Sequence, residues 1–284
     1  MARLLTGGEA ASALTEELKG RTASLARQGV TPKLVILRCG ENEADGAYLR
    51  GALKRGALCG VEVEVRTLPD TASRQQLLDA IDAVNADSTV HGCLLLRPLP
   101  PHLRGAEPEI CDRLLPEKDV DGMTGTSAAG VYLGRPLGFA PCTAEAVTVL
   151  LEHYGVACAE KRAVVIGRSP VVGRPAAMLL LARNATVTVC HTATADLPAV
   201  TRGADIIVSA AGAAGSLTAS HVRPGQTVID VSVSWDAARN AMVGELDAVS
   251  AVVDAITPVP GGVGAVTSAV LMRHVVLAAE RGRK

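Results

Sequence analysis

Aromatic residues are nearly missing from this sequence: one tryptophan, one phenylalanine and three tyrosines make up 2% of its 284 residues. Proteins that grip single-stranded nucleic acid stack bases on aromatic side chains, so that class is set aside first. An excess of either charge is missing too. Lys and Arg number 28 against 29 Asp and Glu, a formal net charge of −1. Neither duplex nucleic acid nor an anionic membrane is suggested by such a balance. Cysteine pairing is also lacking. The seven cysteines are scattered, with no CxxC pair and no histidine at metal-ligand spacing, which fits lone thiols in a reducing cytoplasm and gives no metal site. The N-terminus MARLLTGGEAASALTEELKG meets Glu9, Glu16 and Glu17 early, unlike a signal peptide. Apolar runs such as AVLMRHVVLAA are interrupted by charge before they reach bilayer length.

What is present is globular. Hydrophobic residues are 48% and charged residues 20%, and the length suits about two domains. KLVILRC (33–39), VEVEVRTL (61–68) and VHGCLLL (90–96) read as strands. Between them, 43–60 and 71–87 have helical periodicity, with Leu77, Leu78, Ile81 and Val84 as the apolar stripe of the second. A Pro/Gly-rich interval at 134–146 marks a boundary, and Thr143 reads as the cap of a helix running to about Tyr154. A second series follows: strands at 163–167, 186–190, 205–212 and 227–233, and helices near 171–183 and 196–203. The expectation is an α/β protein with mostly parallel sheets. Residues 1–140, joined by a terminal helix at 264–284, form one domain, and 141–263 form a Rossmann-type second domain.

AVVIGRSPVVGRP (163–175) is strand, tight turn and helix. It is not a full G-x-G-x-x-G, and alone it also describes any strand–helix turn of a doubly wound sheet. Within a second strand series it reads as a dinucleotide site: Gly167 lets the backbone approach a pyrophosphate, and the helix start offers N–H groups and a positive dipole end. Arg168, Ser169 and Gly173 belong to the same turn. An NAD site wants an acid at the end of the next strand. Here that strand ends with Cys190, His191 and Thr192, and no acid comes before Asp196. A cation in the turn beside imidazole and hydroxyl donors suits the 2′-phosphate of NADP. Gly212 and Val233, at the ends of the next two strands, complete the candidate cofactor residues.

HGCLLLRPLP, PEKDVDG, PCT, VVIGRSPVVGRP, VIDV and ITPVPGGVG occur in this order along nearly the whole chain. In this the sequence resembles the methylenetetrahydrofolate dehydrogenase/cyclohydrolase family. The resemblance implies an N-terminal catalytic domain, an NADP-binding Rossmann domain, a folate cleft between them, and a homodimer. It also implies that Asp121 holds the amino and amide edge of the pterin, that Tyr48 flanks the ring, and that Pro260, Gly261 and Gly262 form a loop against the ligand. Taken on their own, Asp121 could cap a turn and Tyr48 could be a half-buried helix tyrosine.

The departures from that family bear on the chemistry. Its catalytic helix carries Ser, then Tyr three residues on, then Lys four after the Tyr. Here those positions are Asp45, Tyr48 and Ala52. Lys54 is no simple substitute, because a residue six on from Tyr48 lies about 240° around a helix. The family's Gln, which hydrogen-bonds that lysine, is replaced by Leu96, and Arg97 follows where the family is apolar. Ser232, Ala265 and Val266 are smaller departures. Hydride removal from a methylene bridge needs positioning and moves no proton. Hydrolysis of the resulting methenyl cation needs a general acid–base group, which an alanine is not. The sequence therefore predicts an NADP-linked dehydrogenase with weak or absent cyclohydrolase activity. Three alternatives stay open: a bifunctional enzyme using Asp45 or Arg97, a binding protein without turnover, and a paralogue specialised for another pterin.

Overall fold

The computed structural model describes residues 2–41, 43–212, 215–232, 234–236 and 241–282. In chain order the first elements are β1 (Arg3–Leu4), α1 (Gly7–Ala26), β2 (Lys33–Cys39), α2 (Glu43–Cys59), β3 (Glu62–Leu68), α3 (Arg74–Ala86), β4 (Gly92–Leu95), α4 (Glu107–Asp112) and α5 (Gly125–Leu133). Then come α6 (Cys142–His153), β5 (Arg162–Ile166), α7 (Gly173–Leu181), β6 (Thr186–Cys190), α8 (Leu197–Arg202) and β7 (Ile206–Ser209). The chain closes with β8 (Thr227–Asp230), β9 (Ser234–Asp236), β10 (Ala241–Val243), α9 (Leu246–Val249), β11 (Ala255–Ile256) and α10 (Val263–Arg281).

The chain divides into two compact units. One takes Ala13–Cys142 with the residues from Ser268 onward; the other takes the residues up to Ser12 with Thr143–Thr267. The first dozen residues thus pack with the later unit, because β1 pairs in parallel with β11, Arg3 opposite Ala255. That placement differs from a division at residue 140.

The earlier unit is built on the parallel sheet β3-β2-β4. The inner strand β2 and its neighbour β4 bury consecutive residues on both faces, as a sheet covered by helices requires, while the edge strand β3 alternates Val63 and Val65 with Glu62, Glu64 and Arg66. Leu77, Ile81 and Val84 of α3 enter the core with Val35, Leu37, Cys93 and Leu95, and Leu78 packs at the edge of the cluster. Helix α3 starts in a capping box, Ser73 with Gln76, which satisfies two N–H groups that the helix start leaves open. Helix α2 lies close on β3, for a Cβ on Gly56 would meet Val63 Cγ2 at 2.4 Å.

The later unit holds a six-stranded sheet in the order β1-β11-β8-β7-β5-β6, parallel at every pairing. After β6 the chain crosses to the opposite side of β5, so the strand order reverses at β5. Ligands of open α/β sheets bind outside the C-terminal ends of strands at such a reversal. A two-stranded antiparallel hairpin, β9 with β10, is appended. Helix α10 is long and apolar enough to cross a bilayer by composition, but its apolar window is 67% buried, so it serves as a core helix. Helix α6 begins at Cys142, ahead of the expected Thr143 cap, and β8 stops at Asp230 where a strand to 233 was expected.

Candidate active site

In the earlier unit, the turn KDVDG runs beside β4. A parallel bridge joins Cys93 to Asp119, and the Cys93 N–H donates to Lys118 O at 2.7 Å. Gly92 makes room for it, since a Cβ there would meet Val120 Cγ1 at 2.6 Å. The two aspartates of the turn then divide the work. Asp119 is fully buried and accepts from the N–H groups of Met123 and Thr124 and from Ser127 Oγ, at 2.9, 2.9 and 2.5 Å. The capping carboxylate is therefore Asp119.

Asp121 instead faces Arg97, which follows β4, with Arg97 Nη2 3.8 Å from its carboxylate. Arg97 Nη1 lies 3.7 Å from Glu107 at the start of α4. Burial pushes the Asp121 carboxyl above the usual range. Hydrogen bonds from Cys142 and the charge of Arg97 pull it back, and Asp119 adds to the upward push. Tyr48 belongs to the same cluster: burial, then the charge of Asp121, lift its phenol well above the usual value. Behind Asp121, the His274 ring donates from Nδ1 to Val120 O at 2.8 Å. The Cys142 thiol meets the same carbonyl at 3.2 Å.

Tyr48 is partly buried and Ala52 is fully buried on the inward stripe of α2, together with Gly56 and Cys59, while Lys54 is exposed. Four residues on from Tyr48 the helix therefore faces the protein, and six on it faces solvent. Leu96 is half-buried just past β4 and donates its N–H to Leu37 O at 2.9 Å. Asp45 falls on α2, and its side chain is outside the described residues.

In the later unit the turn after β5 is held by backbone geometry. Gly167 has φ +115°, and a Cβ on it would meet Ala210 O at 2.2 Å. A Cβ on Gly173 would meet Gly167 O at 2.2 Å, so glycine lets α7 start directly against the strand end. Ser169 Oγ accepts from the Val172 and Gly173 N–H groups at 3.1 and 3.4 Å. Arg168 is exposed in the turn, and Arg174 is exposed in the first turn of α7.

At the end of β6, His191 Nδ1 accepts from the Ala193 N–H at 3.2 Å, which leaves the ring proton on Nε2. The His191 N–H donates to Thr194 Oγ1 at 2.8 Å, and Thr192 is exposed. Asp196, the nearest acid, is occupied as the cap of α8, accepting from the Ala199 N–H at 3.1 Å. The residues present thus fit a dinucleotide: a glycine-only turn at the reversal point, the exposed cations Arg168 and Arg174 beside it, and an acid at the ribose end, Asp196, that is already taken up as a helix cap. Gly212 has φ +75° with open space around it. Val233 lies outside the described residues.

Pro260, Gly261 and Gly262 form the loop before α10. The Gly7 N–H donates to Gly261 O at 2.7 Å, and a Cβ on Gly7 would meet Gly262 O at 1.9 Å. The loop is thereby pressed on the first turn of α1.

One cluster in the later unit had no signal in the sequence. Ser209, Ser232, Glu245 and Asp230 are all buried. Glu245 accepts from the N–H groups of Gly215 and Ser216 at 3.0 Å each and from Ser216 Oγ at 2.5 Å. Asp230 accepts from the N–H groups of Glu245 and Ser232, at 2.5 and 2.9 Å. Burial raises the Asp230 carboxyl to about 6. The partners lie up to 36 residues apart in sequence, so no local pattern could reveal them.

Together these features define a two-domain α/β enzyme, with a parallel-sheet catalytic domain and a Rossmann-like dinucleotide domain. Residues 5–121 match the tetrahydrofolate dehydrogenase/cyclohydrolase catalytic domain, and residues 141–283 match the NAD(P)-binding domain of the same family. A bifunctional protein FolD from Carboxydothermus hydrogenoformans is 46% identical over 283 residues, covering 99% of this chain and 98% of that one. The bifunctional FolD of Campylobacter jejuni superposes with a TM-score of 0.94 at 36% identity, covering 99% of each chain. A Trypanosoma brucei methylenetetrahydrofolate dehydrogenase-cyclohydrolase, solved with NADP and an inhibitor, gives 0.91 at 33% identity, covering 100% of this chain and 99% of that one. This chain belongs to the tetrahydrofolate dehydrogenase/cyclohydrolase family.

Proposed function

We propose that this protein oxidises 5,10-methylenetetrahydrofolate to 5,10-methenyltetrahydrofolate with NADP, and that it hydrolyses the methenyl product weakly or not at all. The observation that carries the second half is Ala52. It is fully buried on the stripe of α2 that also bears Tyr48, where the family pattern places an acid–base lysine. Water addition to the methenyl carbon requires a group that takes one proton and gives another. Arg97 reaches Asp121, but a guanidinium stays protonated and cannot exchange protons near neutral pH. Tyr48 does not replace the lysine either, since its phenol is lifted well above its usual value.

Hydride removal asks less of the side chains. NADP, when bound, supplies the hydride acceptor. Gly167, Arg168, Ser169 and Gly173 would hold its phosphates, and His191 and Thr192 its 2′-phosphate, with Gly212 and Val233 alongside. Asp121 would accept from the amino and amide N–H groups of the pterin, Tyr48 would flank the ring, and the loop Pro260–Gly262 would close on the ligand. The chain's part is orientation and exclusion of water, which is where the rate of such a transfer comes from. We assign the unit of Ala13–Cys142 with the residues from Ser268 onward to the folate side, and Thr143–Thr267 with the first twelve residues to the cofactor side. We place the enzyme in the cytoplasm as a homodimer. The family membership supports the dimer, and seven cysteines in no disulfide support a reducing compartment.

The test uses purified protein, methylenetetrahydrofolate and NADP, followed by methenyl absorbance. Methenyltetrahydrofolate accumulates and then decays at the rate seen in buffer. Decay strongly accelerated by the protein would overturn the second half of the proposal, and no methenyl formation would overturn the first.

A further inference from the structure

We propose that Arg97 is a positioning residue for the folate, fixing the Asp121 carboxylate as a charged double acceptor for two N–H groups on the pterin edge. The inference rests on the folate reading above and adds to it a residue that the family pattern does not supply.

The geometry carries it. The guanidinium is clamped between two carboxylates, with Nη1 3.7 Å from Glu107 and Nη2 3.8 Å from Asp121. Each of Arg97 and Asp121 keeps only 20% of its side-chain surface exposed. The bridge between Cys93 and Asp119 sets the register that brings Asp121 alongside the end of β4. Asp119 takes over the turn hydrogen bonds, so Asp121 is released from capping. Four groups then face Asp121: Tyr48 from α2, Cys142 at the start of α6, Asp119 from its own turn, and Arg97 from beyond β4. Three of these are a phenol, a thiol and a second carboxylate. Arg97 alone among the four brings a positive charge. Ala52 brings none from the helix, so among these groups the cation comes from the segment that follows β4.

The chemistry explains why the charge matters. The pterin edge presents two donors, the amino and the amide N–H. An ionised carboxylate offers acceptors only, whereas a protonated one offers a donor that meets another donor. Burial and Asp119 both favour the protonated form; hydrogen bonds from Cys142 and the charge of Arg97 oppose them, and of these only Arg97 acts as a full charge. Removing Arg97 therefore moves the loss of folate binding to higher pH, because Asp121 then takes up its proton sooner as pH falls.

Tetrahydrofolate binding is measured by calorimetry with NADP present, from pH 5.5 to 8.5, for the wild type and for Arg97→Leu, Arg97→Lys and Glu107→Gln. A shift of one pKa unit corresponds to roughly tenfold. Arg97→Leu is expected to weaken binding about tenfold near pH 6 and to converge on the wild type above pH 8. Arg97→Lys should retain the wild-type midpoint, and Glu107→Gln, which frees Arg97 toward Asp121, should move it slightly lower. The proposal is overturned if Arg97→Leu binds as wild type throughout, or loses the same factor at every pH, as a merely structural residue would. If Arg97→Leu does not fold, the direction of the Glu107→Gln midpoint decides: unmoved or raised overturns the role. Failure of the wild type to bind tetrahydrofolate at all overturns the folate reading and this inference with it. Binding with the expected shift but no hydride transfer overturns only the reaction.

Discussion

The two candidate sites of this chain are made of different material. The turn after β5 is built from backbone: two glycines whose missing Cβ atoms would strike carbonyl oxygens at 2.2 Å, and a serine that caps N–H groups. The cluster around Asp121 is built from side chains: Tyr48, Arg97, Asp121 and Cys142. The first kind of site has few acceptable alternatives, and it keeps the family's form. The second can change one group at a time while the fold stays intact. Here it carries Ala52, Leu96 and Arg97, which on the proposed reading stand in place of a lysine, a glutamine and an apolar residue. On that proposal, cofactor binding rests on chain geometry, and the choice of reaction rests on a handful of replaceable groups.

The sharpest way to break this contrast is at Gly173. A Gly173→Val substitution forces α7 away from the end of β5, and overpacking of this kind costs on the order of 1–3 kcal/mol or more. Affinity for the reduced cofactor is expected to fall about 100-fold, read by titration of NADPH fluorescence, with folate binding retained. Unchanged NADPH affinity would mean that the turn is not the phosphate site.

The side-chain site is tested by restoration. Ala52→Lys alone buries an ammonium without a partner, which drives it toward neutrality. With Leu96→Gln added, the two groups act as a unit. The double variant is expected to hydrolyse methenyltetrahydrofolate at least roughly tenfold faster than the product of the single effects, within the range that acid–base groups contribute. Simple additivity, with folate still bound, would show that the missing pair does not separate this protein from bifunctional relatives.

The smallest effect concerns stability. Burial holds the Asp230 carboxyl near 6, above its usual value, so the folded chain keeps a proton that the unfolded chain releases. Stability from this group is fully present below about pH 4 and is lost as pH rises through 6. The loss is at most about 3 kcal/mol. An Asp230→Asn variant should melt with a flatter pH dependence than the wild type between pH 4 and 7. Parallel melting curves for the two proteins would refute it.

Much of this was legible in the residues. The alternation of apolar strands with helical stripes placed both sheets, and helix geometry separated buried Ala52 from exposed Lys54. The turn at Gly167 was readable because glycine at such a position has a steric reason. What stayed hidden depends on distant partners. KDVDG does not say which aspartate caps the turn; that follows from the bridge between Cys93 and Asp119. The Ser209, Glu245 and Asp230 cluster joins segments with no shared periodicity. The short strands β1, at the sheet edge, and β11 beside it carry two residues each, too few for any alternation to register.

That first strand has a consequence for how the protein is made. Arg3 and Leu4 leave the ribosome long before their partners Ala255 and Ile256. The outer edge of the larger sheet thus waits for nearly the whole chain to be synthesised, and contacts of such long sequence separation close slowly. No contiguous half of the coding sequence specifies a whole unit, because each unit is assembled from two separate segments of the chain. The two halves of this enzyme can be told apart in space, but they cannot be cut apart in the gene.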